Sequence, residues 1–129
     1  MATGTPVLVK DLQENRLRRI SYSWTSTSGG AVVLDAIRVT GFLWAVDTAP
    51  GATAPTSYNL KVYKGSTSGV DILLGAGASR SATVAERCRP TASGIPTMEP
   101  LRDEDIVVSI DTAGNAKTGT FDLYFLQPQ

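Results

Sequence analysis

Ile20, Tyr22 and Trp24 alternate with Ser21 and Ser23, and the same two-residue period returns along the chain. It recurs at Tyr58, Leu60 and Val62, at Val70, Ile72 and Leu74, at Ile106, Val108 and Ile110, and at Phe121, Leu123 and Phe125. Strict alternation gives each segment one apolar face and predicts half-buried strands. Between residues 31 and 46 two phases coexist: Val33, Ile37, Val39 and Leu43 hold one, and Val32, Leu34, Phe42, Trp44 and Val46 hold the other. A phase change near Asp35-Ala36 or at Gly41 predicts a bulge, or a strand that passes from one sheet to another. Segments 58–63 and 70–74, joined by Gly65-Ser66-Thr67-Ser68-Gly69, are expected to pair as a hairpin. An edge strand is expected around 83–88, and loops at 25–30, 48–57 and 112–118. Pro6-Val7-Leu8-Val9 reads as an extended arm. The charged stretch 11–19 fits a helical face badly and is expected to be a turn or a single helical turn.

Each predicted strand has one apolar face to bury, and two sheets packed face to face satisfy that need. The fold class expected is therefore all-β: an antiparallel, jelly-roll-like β-sandwich of seven to nine short strands with little or no helix. The organisation expected is an N-terminal arm at 1–15 and a single sandwich domain at 16–129. A chain of 129 residues is one domain's worth. It should expose about 6,600 Å² when folded. No apolar run is long enough to span a bilayer, and no basic segment followed by an apolar stretch marks a signal peptide.

Composition narrows the chemistry. The chain has no histidine and one cysteine, Cys88. That removes Ser-His and Cys-His nucleophile pairs, nearly all zinc sites and any intrachain disulfide. Twelve basic residues balance twelve acidic ones, so the basic excess of a nucleic-acid binder is absent. Residues 1–64 carry seven basic and four acidic groups, while 65–129 carry five and eight. This asymmetry is of use only in contacts with other copies or with a partner.

Several local motifs lead nowhere catalytic. Gly75-Ala76-Gly77-Ala78-Ser79-Arg80 has the glycines of a phosphate loop but no G-K-[ST] and no helix start, so a tight surface loop is expected. Lys117-Thr118-Gly119 lacks the Ser-x-x-Lys that would give it meaning. Glu99, Asp103, Glu104 and Asp105 have the oxygen ligands of a hard-cation site but not its spacing, and Arg102 is expected to neutralise them. Asp35, Asp71, Asp111 and Asp122 lie on predicted strands without a fixed pair for glycoside hydrolysis. Trp24 and Tyr58 share phase with core positions. Tyr63, Tyr124 and Trp44 fall out of phase and are candidate exposed aromatics, for a protein interface or a sugar. Asn15-Arg16-Leu17-Arg18-Arg19 is the one dense basic run. No catalytic residue, cofactor or metal ligand is assigned.

From Ala49 onward a family pattern emerges. Ala-Pro-Gly-Ala-Thr-Ala-Pro-Thr at 49–56 precedes Tyr58-Asn59-Leu60-Lys61-Val62 and Gly69-Val70-Asp71-Ile72-Leu73-Leu74-Gly75-Ala76-Gly77-Ala78-Ser79-Arg80. A strand near 106–110, Ala113-Gly114-Asn115-Ala116-Lys117-Thr118-Gly119-Thr120 and Leu123-Tyr124-Phe125 follow. Across about residues 40–126 this resembles small structural proteins of tailed bacteriophages, found among virion head genes.

The resemblance implies a non-enzymatic virion component on the head surface, assembled in the host cytoplasm. It implies most directly a capsid decoration (cement) protein that binds the major capsid protein and bridges adjacent subunits. A homo-oligomer, a trimer foremost, is expected, with no nucleic acid, membrane or cofactor. A head–tail connector or tail-associated protein is the nearest alternative, and a glycan-binding adhesion module a third. The N-terminal third lies outside the resemblance and is expected to carry the partner contacts: Thr5, Pro6, Val7, Leu8, Val9, Arg16, Arg18 and Arg19. Residues 3–9 are expected to lie on a neighbouring subunit as an added strand. Loops 48–57 and 91–100 are candidates for contacts between subunits or for outward display.

Overall fold

The computed structural model describes residues 4–14, 16–53 and 57–127. The elements are β1 (Thr5–Glu14), β2 (Leu17–Thr25), β3 (Val32–Val33), β4 (Ile37–Pro50), β5 (Asn59–Lys64), β6 (Glu86–Cys88), β7 (Thr91–Ala92), β8 (Ile95–Pro96), β9 (Pro100–Asp111) and β10 (Thr118–Leu126). All pairings are antiparallel. The chain is thus an all-β, sandwich-like fold, and no helix among the described residues is long and apolar enough to cross a membrane. The strands number ten among the described residues because three strands of only two residues form (β3, β7 and β8), too short to leave a periodic trace in sequence. Exposed surface is 6570 Å², close to the value expected for this length.

The main sheet runs β1-β2-β10-β4-β9-β3, with β5 added on β9 and β6 on β4. Its curl comes from β4 and β9. The C-terminal part of β4 lies between β10 and β6, whereas its N-terminal part pairs with β9. β9 in turn carries β5 along residues 106–111. The layers close over one core, in which Trp24 of β2 meets Tyr58 beside β5 edge to face, centroids 5.4 Å apart. The row Ile20–Leu123–Val46–Cys88 crosses four strands and is buried throughout.

Gly41 is the pivot of β4. The β4–β9 register shifts between Val39 and Gly41, and Gly41 has φ +128°. A Cβ there would collide with the carbonyl of Leu126. The phase change expected at Gly41 is this shift, and the one expected near Asp35-Ala36 is the gap between β3 and β4.

Two local expectations need correction. Val70, Ile72 and Leu74 do not form a strand. Asp71 accepts hydrogen bonds from the N–H groups of Val62, Leu73 and Gly75 at 3.0–3.1 Å. Its carboxylate thereby winds the chain into turns, so Ile72 and Leu73 are both buried while Val70 and Leu74 are exposed. Residues 11–19 are not a helical turn either: they are the close of the β1–β2 hairpin, with Glu14 opposite Leu17. Asn15 lies outside the described residues, as do 1–3 of the expected arm and 54–56 of the expected loop. Thr5–Leu8 pair with Thr25–Tyr22 of the same chain, because β2 has a free edge within reach. The expected placement on a neighbouring subunit gives way to this hairpin.

Gly41→Ala should lower stability by about 2–4 kcal/mol, combining the strained φ with the clash. Gly65 also has positive φ, but a Cβ there meets nothing within 4 Å. Gly65→Ala should cost only about 1 kcal/mol. Urea midpoints at unchanged m-value would check the order; equal losses would remove Gly41 as the pivot.

Candidate interaction surface

The outer face of the β1-β2-β10-β4-β6 layer is set by register. Residues directly opposite in a ladder share a face. The row Lys10–Ser21–Asp122–Asp47–Arg87 therefore crosses five strands on the solvent side. The next row is Leu12–Arg19–Tyr124–Ala45. A bulge at Trp44, where the register skips from Ala45 to Leu43 opposite Tyr124 and Phe125, brings this ring beside Tyr124. The two rings meet edge to face with centroids 6.1 Å apart.

Arginines from two strands and a loop border gather on these rings. Arg87 lies over Trp44 at 4.9 Å and over Tyr124 at 5.5 Å. Arg89 lies over Trp44 at 5.1 Å, and Arg19 over Tyr124 at 5.9 Å. Cations attract the negative faces of aromatic rings, most strongly when water is withdrawn. Arg87 also grips Asp47 through two bonds of 2.6 and 2.8 Å. Arg19 Nη2 donates to Asp122 at 3.0 Å. Asp47 and Asp122, opposed like charges, are thus each held by a guanidinium. The Arg87 hydrogen bonds push the Asp47 carboxyl below its ordinary value, and burial raises the Tyr124 hydroxyl.

β1 lies beside this patch. Val7, Leu8, Val9 and Leu12 are 50–62% exposed, and no β1 residue joins the core cluster. A one-residue bulge at Val9 shifts the ladder between Leu8 and Lys10. Without it Lys10 would turn inward and Asp11 outward, since a one-residue slip exchanges faces. With it, Lys10 joins the outer row and Asp11 meets Arg18. Arg18 donates to both Asp11 carboxylate oxygens at 3.0 and 2.9 Å, and to the Arg38 carbonyl at 3.1 Å.

The residues expected to bind a partner therefore separate by role. Thr5, Val7 and Arg19 share the outer face, while Pro6 and Leu8 take the opposite phase and Val9 sits in the bulge. Arg16 donates to the Gln127 carbonyl beside the hairpin. Arg18 is engaged in pinning β1 to β2 and β4. Sequence reading did not assign Lys10, Leu12, Ser21, Arg87 or Arg89 to this surface. The out-of-phase positions of Trp44 and Tyr124 were its one available signal.

Other expected features resolve locally. The acidic stretch is faced by cross-strand cations: Arg38 reaches Asp105 at 2.9 Å and Asp103 at 3.6 Å, and Lys64 reaches Glu104 and Glu99 at 3.4 and 3.7 Å. The β4–β9 and β5–β9 pairings, rather than the sequence neighbour Arg102, supply that charge. In the glycine-rich loop the N–H groups of Gly75, Ala76, Ala78, Ser79 and Arg80 are all taken by protein acceptors, leaving them unavailable to a phosphate. Cys88 is buried, and burial raises its thiol pKa. No protein-family model matches the chain, and no curated protein matches it in sequence.

The Arg18 hydrogen bonds hold the Asp11 carboxyl below its ordinary value of 3.8, as Arg87 does for Asp47. The folded chain then binds fewer protons than the unfolded chain in that range. The stability these pairs add is complete above about pH 5 and is lost as pH falls through the folded-state values. An Asp11→Asn, Asp47→Asn double variant should be less stable near neutrality and lose less on acidification, so that the two stability curves converge. Urea unfolding across acid pH would check this; parallel curves would exclude the pairs as a cause.

Proposed function

We propose that this chain is a non-enzymatic structural protein of a tailed-bacteriophage virion. In this reading it is a head decoration (cement) protein that binds the major capsid protein and bridges adjacent subunits, acting as a homotrimer. The observation that carries the proposal is β1: a ten-residue edge strand whose valines and leucines are half or more exposed and take no part in the core. Exposed apolar side chains on an edge strand gain free energy only when something else covers them. The arginine–aromatic patch adjoins it on the same layer, and arginine, tryptophan and tyrosine are the residues that dominate interface cores. The likeness of residues 40–126 to virion head proteins supplies the partner class, and the sequence offers no histidine for acid–base chemistry. Copies linked in one oligomer would turn a modest contact into firm attachment.

The glycan-binding alternative draws on Trp44 and Tyr124. Arg87 and Arg89 lie over Trp44, however, on ring surface that a stacked sugar would need, so the protein interface is favoured. A connector or tail role differs in copy number.

Phage heads lacking the protein should take up the purified chain in hundreds of copies; about six or twelve per particle would mark a symmetric ring at the portal instead. Val7→Ser, Leu12→Ser should bind heads at least about tenfold more weakly, equivalent to ~1.4 kcal/mol, with an unchanged urea midpoint. Undiminished attachment of this variant would overturn β1 as the contact.

A further inference from the structure

Beside the Val9 bulge, between β1, β2 and β10, lies a cavity of about 260 Å³ lined by Lys10, Arg19, Ser21, Thr120 and Asp122 among others. We infer that it receives a carboxylate, an aspartate or glutamate side chain of the protein that the outer face docks against. The inference rests on the proposed function for the identity of the docked surface, and on the cavity's own chemistry for the carboxylate.

That chemistry is one of unmet donors. Ser21 is only 7% exposed, and its Oγ has no hydrogen-bond partner. Arg19 Nε is likewise buried without a partner, while its Nη2 is held by Asp122. Buried polar groups are ordinarily satisfied, and an exception marks a place where something is missing. Arg19 Nε–H can only donate, Lys10 Nζ can only donate, and the Ser21 hydroxyl can donate. A group that only accepts, through two oxygens, meets all three. Charge selects among such groups. Lys10 and Arg19 against Asp122 leave one positive charge, which a carboxylate neutralises and a phosphate dianion overfills.

The cavity's border favours a protein side chain over an acidic sugar. Val9, 62% exposed, forms part of the wall, so the entering group meets an apolar lip. The lining aromatic, Tyr22, alternates with Ser21 and so belongs to the opposite face of β2, where it stacks on Phe121 with centroids 5.6 Å apart and interplanar angle 18°, and it does not present that stacked ring to a sugar here.

The chain alone tests this by NMR titration with three probes: N-acetyl-Gly-Glu-Gly-amide, its Gln counterpart and sodium glucuronate. The glutamate peptide should shift the Arg19 Nε–H signal and the amides of Lys10, Ser21 and Thr120 along one saturating curve. The glutamine peptide should leave them unmoved. Ser21→Ala and Arg19→Lys, the latter keeping the charge but losing Nε–H, should each weaken the response about tenfold. Equal response to the glutamine peptide, or shifts scattered over the surface and indifferent to both variants, would overturn the site. Saturation by glucuronate at tenfold lower concentration would overturn the protein source. Because no phage head enters this titration, its failure removes the carboxylate site alone. Failure of wild-type uptake on heads would remove the virion reading instead.

Discussion

A strand with one apolar face has two separate obligations: its backbone groups need partners on both edges, and its side chains need a core on one side only. In a chain of this size few strands can meet both within one flat sheet. β4 does so by serving two layers in succession. Its C-terminal part is flanked by β10 and β6, its N-terminal part by β9, and Gly41 permits the turn between them. Everything else hangs on that crossing. β9 follows β4 out of the first layer and carries β5 opposite β2, which is why Trp24 and Tyr58 can touch across the core. A further glycine with a packing reason is Gly119, where a Cβ would press on the Trp24 ring. Both glycines are places where backbone must approach what a side chain would exclude.

Alternation made the strands legible because a two-residue period is a direct image of one buried face. Phase alone puts Ile20, Leu60, Val62, Val108 and Phe121 on apolar faces, and all are buried in the core. The failures share a cause. At residues 70–74 the apolar pattern was that of a strand, and residues 70–72 do bridge β5, yet the Asp71 carboxylate takes the N–H groups of Leu73 and Gly75 and turns the chain away after one bridge. At 11–19 the pattern was polar, because β1 adds no side chain to the core cluster, and a strand without a buried face leaves no alternation to detect. Periodicity reports burial rather than strand geometry, and an edge strand open on both faces escapes it.

The surface was less legible than the fold for a related reason. Arg87 and Asp47 are forty residues apart, and Arg19 and Asp122 more than a hundred; their meeting depends on a register that no local pattern encodes. Arg18 and Arg19 look equivalent in sequence, yet the one-residue difference sends Arg18 to Asp11 and the Arg38 carbonyl, and Arg19 to the outer row. One of the two is therefore structural in its contacts and the other available for recognition. Trp44 and Tyr124 gave partial warning, since large aromatics out of phase with a buried face must be doing something on the other.

The Val9 bulge ties these threads together. An open edge rich in valine and leucine invites indiscriminate pairing, and proteins blunt such edges with prolines, charges and bulges. β1 has all three, in Pro6, Lys10 and the Val9 insertion. Blunting the backbone edge leaves the apolar side chains exposed, so the strand is poorly suited to extend a foreign sheet but well suited to be covered by a shaped surface. The same insertion turns Lys10 outward over Ser21 and hands Asp11 to Arg18. A single extra residue thus discourages promiscuous strand addition, pins the hairpin by an ion pair, and places a cation above a buried hydroxyl that has no partner. An edge strand whose only task was to finish a sheet would need the first of these effects; the third is intelligible if the face beside it is meant to meet something specific.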